Sequence, residues 1–190
     1  MNYRIRQAAH ILWQGGVIAY PTEGVWGLGC LPHETDAIEY LLDIKHRAPD
    51  KGLILVAANF QQVEPFIGEL PEKALARMLD SWPGPVTWVV PAAEDVGEEL
   101  TGGRTTIALR VSAHPVVRAL CEAADSALVS TSANRSGRQP ARSVLETRLR
   151  FGMDVDDIVP GKLGGQKGPT EVREALTGKV LRPAEEGAQA

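Results

Sequence analysis

Apolar and polar positions recur along the chain with two periods, one helical and one strand-like. Apolar residues three or four positions apart indicate the buried face of a helix, and short apolar runs bounded by Gly or Pro indicate buried strands. Helices are predicted at 3–14, 35–44, 61–67, 71–81, 115–124 and 143–151. Strands are predicted at 17–20, 53–57, 86–90, 106–111 and 127–129, with shorter strands at 157–159, 171–173 and 180–182. Thr35 is the predicted N-cap of the second helix.

The rest of the pattern is organised around the first predicted strand and the segment after it. The apolar run 17–20 ends at Pro21, which has no N–H to donate, and Thr22 and Glu23 follow directly. Several glycines then predict a tight loop up to residue 29 that lets backbone approach a ligand closely. Ligands of open α/β sheets bind beyond the carboxyl ends of strands, so this loop is a candidate binding site. An ordinary turn with two solvated polar residues explains the same pattern.

A second polar junction follows the strand predicted at 127–129. The sequence Ser-Thr-Ser-Ala-Asn occupies positions 130–134. Hydroxyl and amide groups at this density can bind sugar hydroxyls, phosphate oxygens or a carboxylate. A plain Ser/Asn turn is the alternative interpretation.

Two cations, Lys45 and Arg47, follow the second predicted helix. Pro49 disfavours helical geometry at Ala48, so both cations are predicted to leave the last helical turn for a loop. They either project toward a polyphosphate or complement the negative end of the helix dipole.

Arg110 lies near the end of an otherwise buried strand. A buried cation without a partner is costly, so an anionic group is expected beside it. That group is either an acid of the protein or the carboxylate of a substrate, which a guanidinium binds through paired hydrogen bonds.

The composition is that of an ordinary globular domain. The chain has 190 residues, of which 44% are hydrophobic and 23% are charged, with a net charge of −4. Positive charge is concentrated between Arg104 and Arg150, where there are eight arginines and three acids. This excess predicts a patch for phosphates or RNA, although solvated surface arginines explain most of it as well.

Cysteine and histidine usage argues against a zinc site. Cys30 and Cys121 are the two cysteines, without Cys-x-x-Cys spacing, and the histidines lack a metal-ligand pattern. Two isolated thiols indicate a reducing compartment, although one disulfide between them stays open. Without a signal-like N-terminus or a long apolar run, we expect a cytoplasmic protein that does not enter the membrane.

The last part of the chain is predicted to be less ordered. Positions 161–168 hold four glycines and two lysines and predict a mobile loop. The segment 184–190 is rich in Ala, Glu and Gly and is predicted to be a disordered tail. The preceding residues, 3–183, are expected to form one domain.

Five of these motifs, taken together, resemble the YrdC family. They match in order and spacing over about residues 3–182, and the match is better to the short, single-domain bacterial branch than to longer relatives. The motifs are Tyr20-Pro21-Thr22-Glu23 with Gly27-Leu28-Gly29; Lys45-His46-Arg47; Pro83-Gly84-Pro85-Val86-Thr87; Ala108-Leu109-Arg110-Val111 with His114-Pro115; and Ser130-Thr131-Ser132-Ala133-Asn134 with Ser136-Gly137. The resemblance implies a single-domain α/β fold with a twisted mixed sheet, flanking helices and a basic concave face.

The resemblance also implies a reaction. L-threonine, bicarbonate and ATP give threonylcarbamoyl-adenylate and pyrophosphate, for modification of the tRNA adenosine beside the anticodon. By similarity, the catalytic residues are Lys45 and Arg47. The implied ATP-binding residues are Lys45, Arg47, Thr87, Ser132, Asn134, Pro140 and Arg182, and the implied threonine-binding residues are Thr22, Arg110, Ser130 and Thr170. Mg²⁺ is expected to arrive with ATP, without a metal site made by the protein.

Two points stay open at this level. Glu23 is a candidate general base only because it is the acid nearest the proposed site in sequence. A non-catalytic factor that binds double-stranded RNA or tRNA during ribosome maturation is the alternative function, and a carbamoyl-transferring relative is a third possibility. The expected partners are small-molecule substrates, weakly bound tRNA or double-stranded RNA, and a transferase complex that receives the product.

Overall fold

The computed structural model describes residues 2–184, which form one mixed sheet with helices on both faces. The helices are α1 (Tyr3–Trp13), α2 (Thr35–Lys45), α3 (Glu72–Ser81), α4 (Glu98–Thr101), α5 (Pro115–Ala124) and α6 (Val144–Phe151), with 3-10 turns at Pro49–Lys51, Phe60–Gln62 and Glu64–Phe66. The strands are β1 (Ile18–Pro21), β2 (Trp26–Cys30), β3 (Ile54–Ala57), β4 (Val86–Pro91), β5 (Thr106–Val111), β6 (Leu128–Ser132), β7 (Asp157–Ile158), β8 (Glu171–Glu174) and β9 (Val180–Arg182).

Within residues 2–184 the sheet has nine strands, in the order β7-β1-β2-β6-β3-β5-β4-β8-β9. Three neighbouring pairs are parallel, β1 with β7, β3 with β5 and β4 with β8, and the others are antiparallel. The predicted mixed α/β sheet is therefore confirmed. The closing pair of strands predicted near the C-terminus is also present, as β8 and β9.

Both faces of the sheet are covered, which explains why its strands read as continuous apolar runs. Ala19 packs into a core with Trp26, whereas its neighbours Ile18 and Tyr20 pack into a second core on the other face. Side chains alternate between the faces of a strand, so all four residues of β1 are buried. The first core lies under α2 and α3, and the second lies under α1 and α5.

The glycine-rich segment differs most from its prediction. The predicted loop ends early, because residues 26–30 form β2, which lies between β1 and β6 and is antiparallel to both. At Gly29 a Cβ atom would lie 2.2 Å from the carbonyl oxygen of Val129. Gly29 therefore permits close pairing of β2 with β6.

Smaller differences have local causes. Positions 130–132 belong to β6 and not to a loop, since their backbone pairs with β2. Glu34, not Thr35, is the N-cap of α2, and its side chain makes no capping hydrogen bond. The helix predicted at 61–67 is replaced by the two 3-10 turns.

Both cysteines are free and buried, so the disulfide that the sequence left open does not form. Burial raises the pKa of each thiol to about 12, which keeps both protonated near neutral pH. Among residues 2–184 no helix is long and apolar enough to cross a membrane. The tail predicted at 184–190 lies outside the described residues apart from Ala184.

Candidate active site

The two polar junctions predicted from sequence meet at one cavity of about 150 Å³. They meet because β2 pairs with β1 on one side and with β6 on the other, with Gly27 opposite both Tyr20 and Ser132. A Cβ atom at Gly27 would lie 3.2 Å from Thr22 Cγ2 and 3.6 Å from Ser130 Oγ. The missing side chain therefore leaves a space between these two hydroxyl-bearing residues.

The cavity wall comes from distant parts of the chain. Seven of the eleven residues implied by the resemblance line the cavity. These seven are Thr22, Arg47, Arg110, Ser130, Ser132, Thr170 and Arg182. The remaining wall residues are Gly24, Val25, Trp26, Gly27, Leu53, Ile54, Thr131, Gly168 and Pro169.

Arg110 is buried in the wall and has a protein partner on each side. Its Nη1 donates to Thr170 Oγ1 at 2.6 Å, and its Nη2 lies 3.3 Å from Glu23 Oε2. Its Nε is buried and makes no hydrogen bond. Of the two anions that the sequence left open, an acid of the protein is therefore present, and the guanidinium still faces the cavity.

Glu23 lies behind Arg110 and not at the cavity surface. It is absent from the wall formed by the described residues, and its Oε1 accepts a hydrogen bond from Ser112 Oγ at 2.5 Å. A general base must come within hydrogen-bonding distance of the proton that it removes. The interpretation of Glu23 as the base therefore loses its geometric support.

Thr87, for which the resemblance implies a contact with ATP, lies outside the cavity wall. It is fully buried, does not line either cavity described here, and its Oγ1 lies 3.3 Å from Thr170 Oγ1. Thr170 in turn contacts Arg110, so Thr87 supports the Arg110 side of the cavity. Arg182 Nη2 donates to the carbonyl of Thr170 at 2.8 Å.

Lys45 is the last residue of α2 and is 3% exposed. Its ammonium group donates to the carbonyl of Asn134 at 2.7 Å and to the carbonyl of Ser132. Burial, and after it the nearby Arg47 cation, lower the pKa of Lys45 to about 7. Lys45 therefore fixes the end of β6 and does not project freely into a loop as predicted.

Arg47 does reach the cavity. Its Nη2 donates to the carbonyl of Gly52 at 2.9 Å, and its Nε is buried without a hydrogen bond. Burial, and then the Arg104 cation, lower the pKa of its guanidinium. The left-handed backbone of His46 turns the chain between the two cations, so they point to different places.

A second cavity of about 230 Å³ adjoins the first, and Val25 and Pro169 line both. Pro140 lines this second cavity together with Arg142 and Arg150. Asn134 lines neither cavity, but its Oδ1 accepts a hydrogen bond from Ser132 Oγ at 2.5 Å.

Two features of the site were missed in the sequence. Ser112, which holds Glu23, is one residue beyond β5 and has no signal except its closeness to Arg110. Gly168 and Pro169 line the cavity, although 161–168 was predicted only as a mobile loop. That segment is held to the loop after β1, since Gly164 N donates to Thr22 O and Gln166 N donates to Glu23 O.

The described residues contain no group of three or more His, Cys, Asp or Glu that could hold a metal ion. The cavity wall itself offers hydroxyl oxygens and guanidinium groups.

Comparison with known families decides the relationship. The family model for Sua5, YciO and YrdC proteins, described as "Telomere recombination", matches residues 10–184. The chain belongs to this family. The resemblance to the YrdC family found in the sequence is therefore confirmed.

The Sua5/YciO/YrdC relatives are similar over almost the whole chain. A threonylcarbamoyl-AMP synthase of Halorhodospira halophila is 52% identical over 180 residues, which is 95% of this chain and 94% of the relative. One of Cellvibrio japonicus is 48% identical over 184 residues, 97% of each chain.

Solved structures of the family agree with the fold. P. abyssi Sua5 complexed with L-threonine superposes with a TM-score of 0.88 at 33% identity, covering 95% of this chain and 54% of that one. The chain thus spans about half the length of that relative. E. coli YciO superposes with a TM-score of 0.80 at 28% identity, covering 95% of this chain and 88% of the other.

Proposed function

We propose that this chain makes L-threonylcarbamoyl-adenylate and pyrophosphate from L-threonine, bicarbonate and ATP. The observation that carries the proposal is one cavity in which Arg110 and three hydroxyl groups adjoin Arg47. A guanidinium beside hydroxyls is complementary to a hydroxy amino acid, and a second, half-buried cation is complementary to phosphate. The names of relatives that are about half identical, and the L-threonine complex of P. abyssi Sua5, support the same reaction.

On the amino-acid side, Arg110 binds the carboxylate of threonine. Its side chain lines the cavity, and its buried Nε makes no hydrogen bond to the protein. Thr22, Ser130 and Thr170 provide hydroxyl groups around the same space and bind the polar groups of the substrate. We place Thr87 on this side too, as the support of Thr170.

On the nucleotide side, Arg47 binds the triphosphate. Lys45 adds positive charge and fixes the Ser132–Asn134 segment through its two carbonyl contacts. Ser132 and Asn134 bind the nucleotide, while Pro140 in the adjoining cavity and Arg182 lie at its edge.

The chemistry needs positioning and charge neutralisation more than covalent help from the protein. The threonine amine takes up bicarbonate as a carbamate with loss of water. A carbamate oxygen then attacks the α-phosphorus of ATP, and the bond to the β-phosphate oxygen breaks to release pyrophosphate. Arg47 and Lys45 stabilise the negative charge that moves onto the leaving group.

Mg²⁺ fits this site as an ion carried by the phosphates. It keeps several waters and usually takes few protein ligands, and the wall formed by described residues offers hydroxyls but no carboxylate. When bound, it neutralises phosphate charge.

The deciding test is pyrophosphate release from ATP and Mg²⁺, measured with and without L-threonine and bicarbonate. We expect release to require both, and L-serine and L-alanine to be poorer substrates. Release that is independent of threonine, or no release from folded protein, contradicts the proposal.

The product is proposed to serve modification of the tRNA adenosine beside the anticodon, through hand-off to a transferase complex in the cytoplasm. Exposed arginines at 135, 138, 142, 148 and 150 support weak binding of tRNA or double-stranded RNA. Such binding should weaken steeply with salt, because each phosphate contact releases counterions. Threonine-dependent turnover should change much less, which separates the enzyme from a purely RNA-binding factor.

A further inference from the structure

We propose that Glu23 is a positioning residue that holds the Arg110 guanidinium in the orientation that receives the carboxylate of the amino acid. The inference rests on the proposed function, because it concerns how the same cavity binds threonine. It assigns Glu23 a role through Arg110 and not through contact with the substrate.

The first support is the geometry of the pair. The Glu23 and Arg110 side chains are 9% and 8% exposed, and Glu23 Oε2 lies 3.3 Å from Arg110 Nη2. The opposite end of the guanidinium, Nη1, is held by Thr170 Oγ1 at 2.6 Å. A hydrogen bond at one end and an ion pair without a hydrogen bond at the other oppose rotation of the planar group.

The second support is that Glu23 is itself held. Ser112 Oγ donates to Glu23 Oε1 at 2.5 Å and accepts from the backbone N–H of His114 at 3.0 Å. Ser112 is fully buried, and its own N–H donates to the carbonyl of Ala57 in β3. A chain of contacts therefore runs from the sheet through Ser112 and Glu23 to Arg110.

The third support is charge. A buried guanidinium without a counter-ion is costly, and the protein supplies this counter-ion from outside the cavity wall. Glu23 thus stabilises Arg110 while the cavity surface stays free for the substrate. Preorganisation of this kind improves binding because the orientation is fixed before the substrate arrives.

The test is a double-mutant cycle between Glu23→Gln and Arg110→Gln, read as kcat/KM for threonine in the pyrophosphate assay. Glu23→Gln should lower kcat/KM for threonine by about tenfold, while KM for ATP changes less than twofold. Arg110→Gln should have a larger effect. In the Arg110→Gln background, Glu23→Gln should cause no further loss, because the group that it positions is gone.

Two variants make the cycle independent of a folding defect. Ser112→Ala leaves both charges in place and should lower kcat/KM for threonine by about threefold, through a less ordered Glu23. Asp157→Asn removes the acid partner of Arg4, 2.8 Å away and outside both cavities, and should leave kcat/KM for threonine unchanged.

The outcomes separate the two proposals. Additive losses in the double mutant, or equal losses for threonine and ATP, overturn the positioning role while the enzymatic function stands. A wild-type value of kcat/KM for threonine in Glu23→Gln also overturns the positioning role and leaves the enzymatic function standing. If the wild-type protein has no threonine-dependent turnover, the proposed function fails and the positioning role fails with it.

Discussion

The two sides of the cavity hold their cations in different ways. Arg110 faces an acid of the protein, since Glu23 lies 3.3 Å away, and the hydroxyl of Thr170 completes its surroundings. Lys45 and Arg47 donate instead to backbone carbonyls. Within residues 2–184, neither Lys45 nor Arg47 forms an ion pair with an acid of the chain.

This difference indicates which substrate each side suits. A carbonyl orients a cation but does not cancel its charge, so Arg47 in the cavity wall keeps its positive charge for a polyanion such as a triphosphate. The Arg110–Glu23 pair is balanced, and it suits an amino acid that is neutral overall as a zwitterion. The separation of charge thus matches one anionic and one neutral substrate.

The largest effect is expected from removing the unbalanced charge. Arg47→Ala should lower threonine-dependent pyrophosphate release by about 100-fold, the scale of losing one group that stabilises developing charge. Lys45→Ala should also lower turnover strongly. Arg118→Ala, which removes an arginine paired with Glu122 on the surface of α5, is the matched control and should keep full activity. Full activity in Arg47→Ala with unchanged thermal stability would contradict the proposal that Arg47 binds the triphosphate of ATP.

A smaller effect is expected from disturbing the balanced side. At Gly24 a Cβ atom would lie 2.0 Å from the carbonyl oxygen of Gly168, so Gly24→Ala must push the 161–168 segment away from the cavity. We expect KM for threonine to rise by about tenfold and the free energy of unfolding to fall by about 2 kcal/mol. Gly103→Ala is the control, because a Cβ there meets nothing within 4 Å; its positive φ of 72° makes Ala cost stability as well, but KM should stay unchanged. An unchanged KM in Gly24→Ala would show that the segment does not shape this side.

The charge of Lys45 gives a pH dependence of stability. Its pKa in the folded protein is about 7, below its ordinary value of 10.5, so the folded state loses this proton before the unfolded state does. Stability should therefore rise with pH between about 7 and 10.5, where the unfolded chain binds more protons.

Relative to Lys45→Met, the wild-type free energy of unfolding should increase by about 2 kcal/mol from pH 7 to pH 9. Urea denaturation at the two pH values measures it. If the free energy of unfolding changes equally in the wild type and in Lys45→Met, Lys45 remains protonated in the folded protein between pH 7 and pH 9.

The smallest effect concerns the boundary between the two sides. Thr87→Val keeps the shape of this buried residue and removes its contact with Thr170. We expect about a threefold rise in KM for threonine and no change in KM for ATP, consistent with the loss of one weak hydrogen bond. A rise in KM for ATP alone would return Thr87 to the nucleotide side.

The sequence by itself determined the elements whose signal is local. Helical spacing located α1, α3 and α5 within one or two residues, and apolar runs located β1, β3, β4 and β5. The motifs, taken in order, also identified the family, and seven residues that the resemblance implied lie in the cavity wall. These features depend on neighbours a few positions apart, which periodicity records directly.

Tertiary structure alone decided which strands pair and which side chains contact each other in the site. A glycine-rich segment became β2 because strands on both sides satisfied its backbone, and Arg110 received Glu23, 87 positions earlier in the chain, as its counter-ion. The direction of the Lys45 ammonium and the place of Thr87 were decided in the same way. These contacts depend on which distant strands pair and in which register, and the local spacing of apolar and polar residues does not predict that.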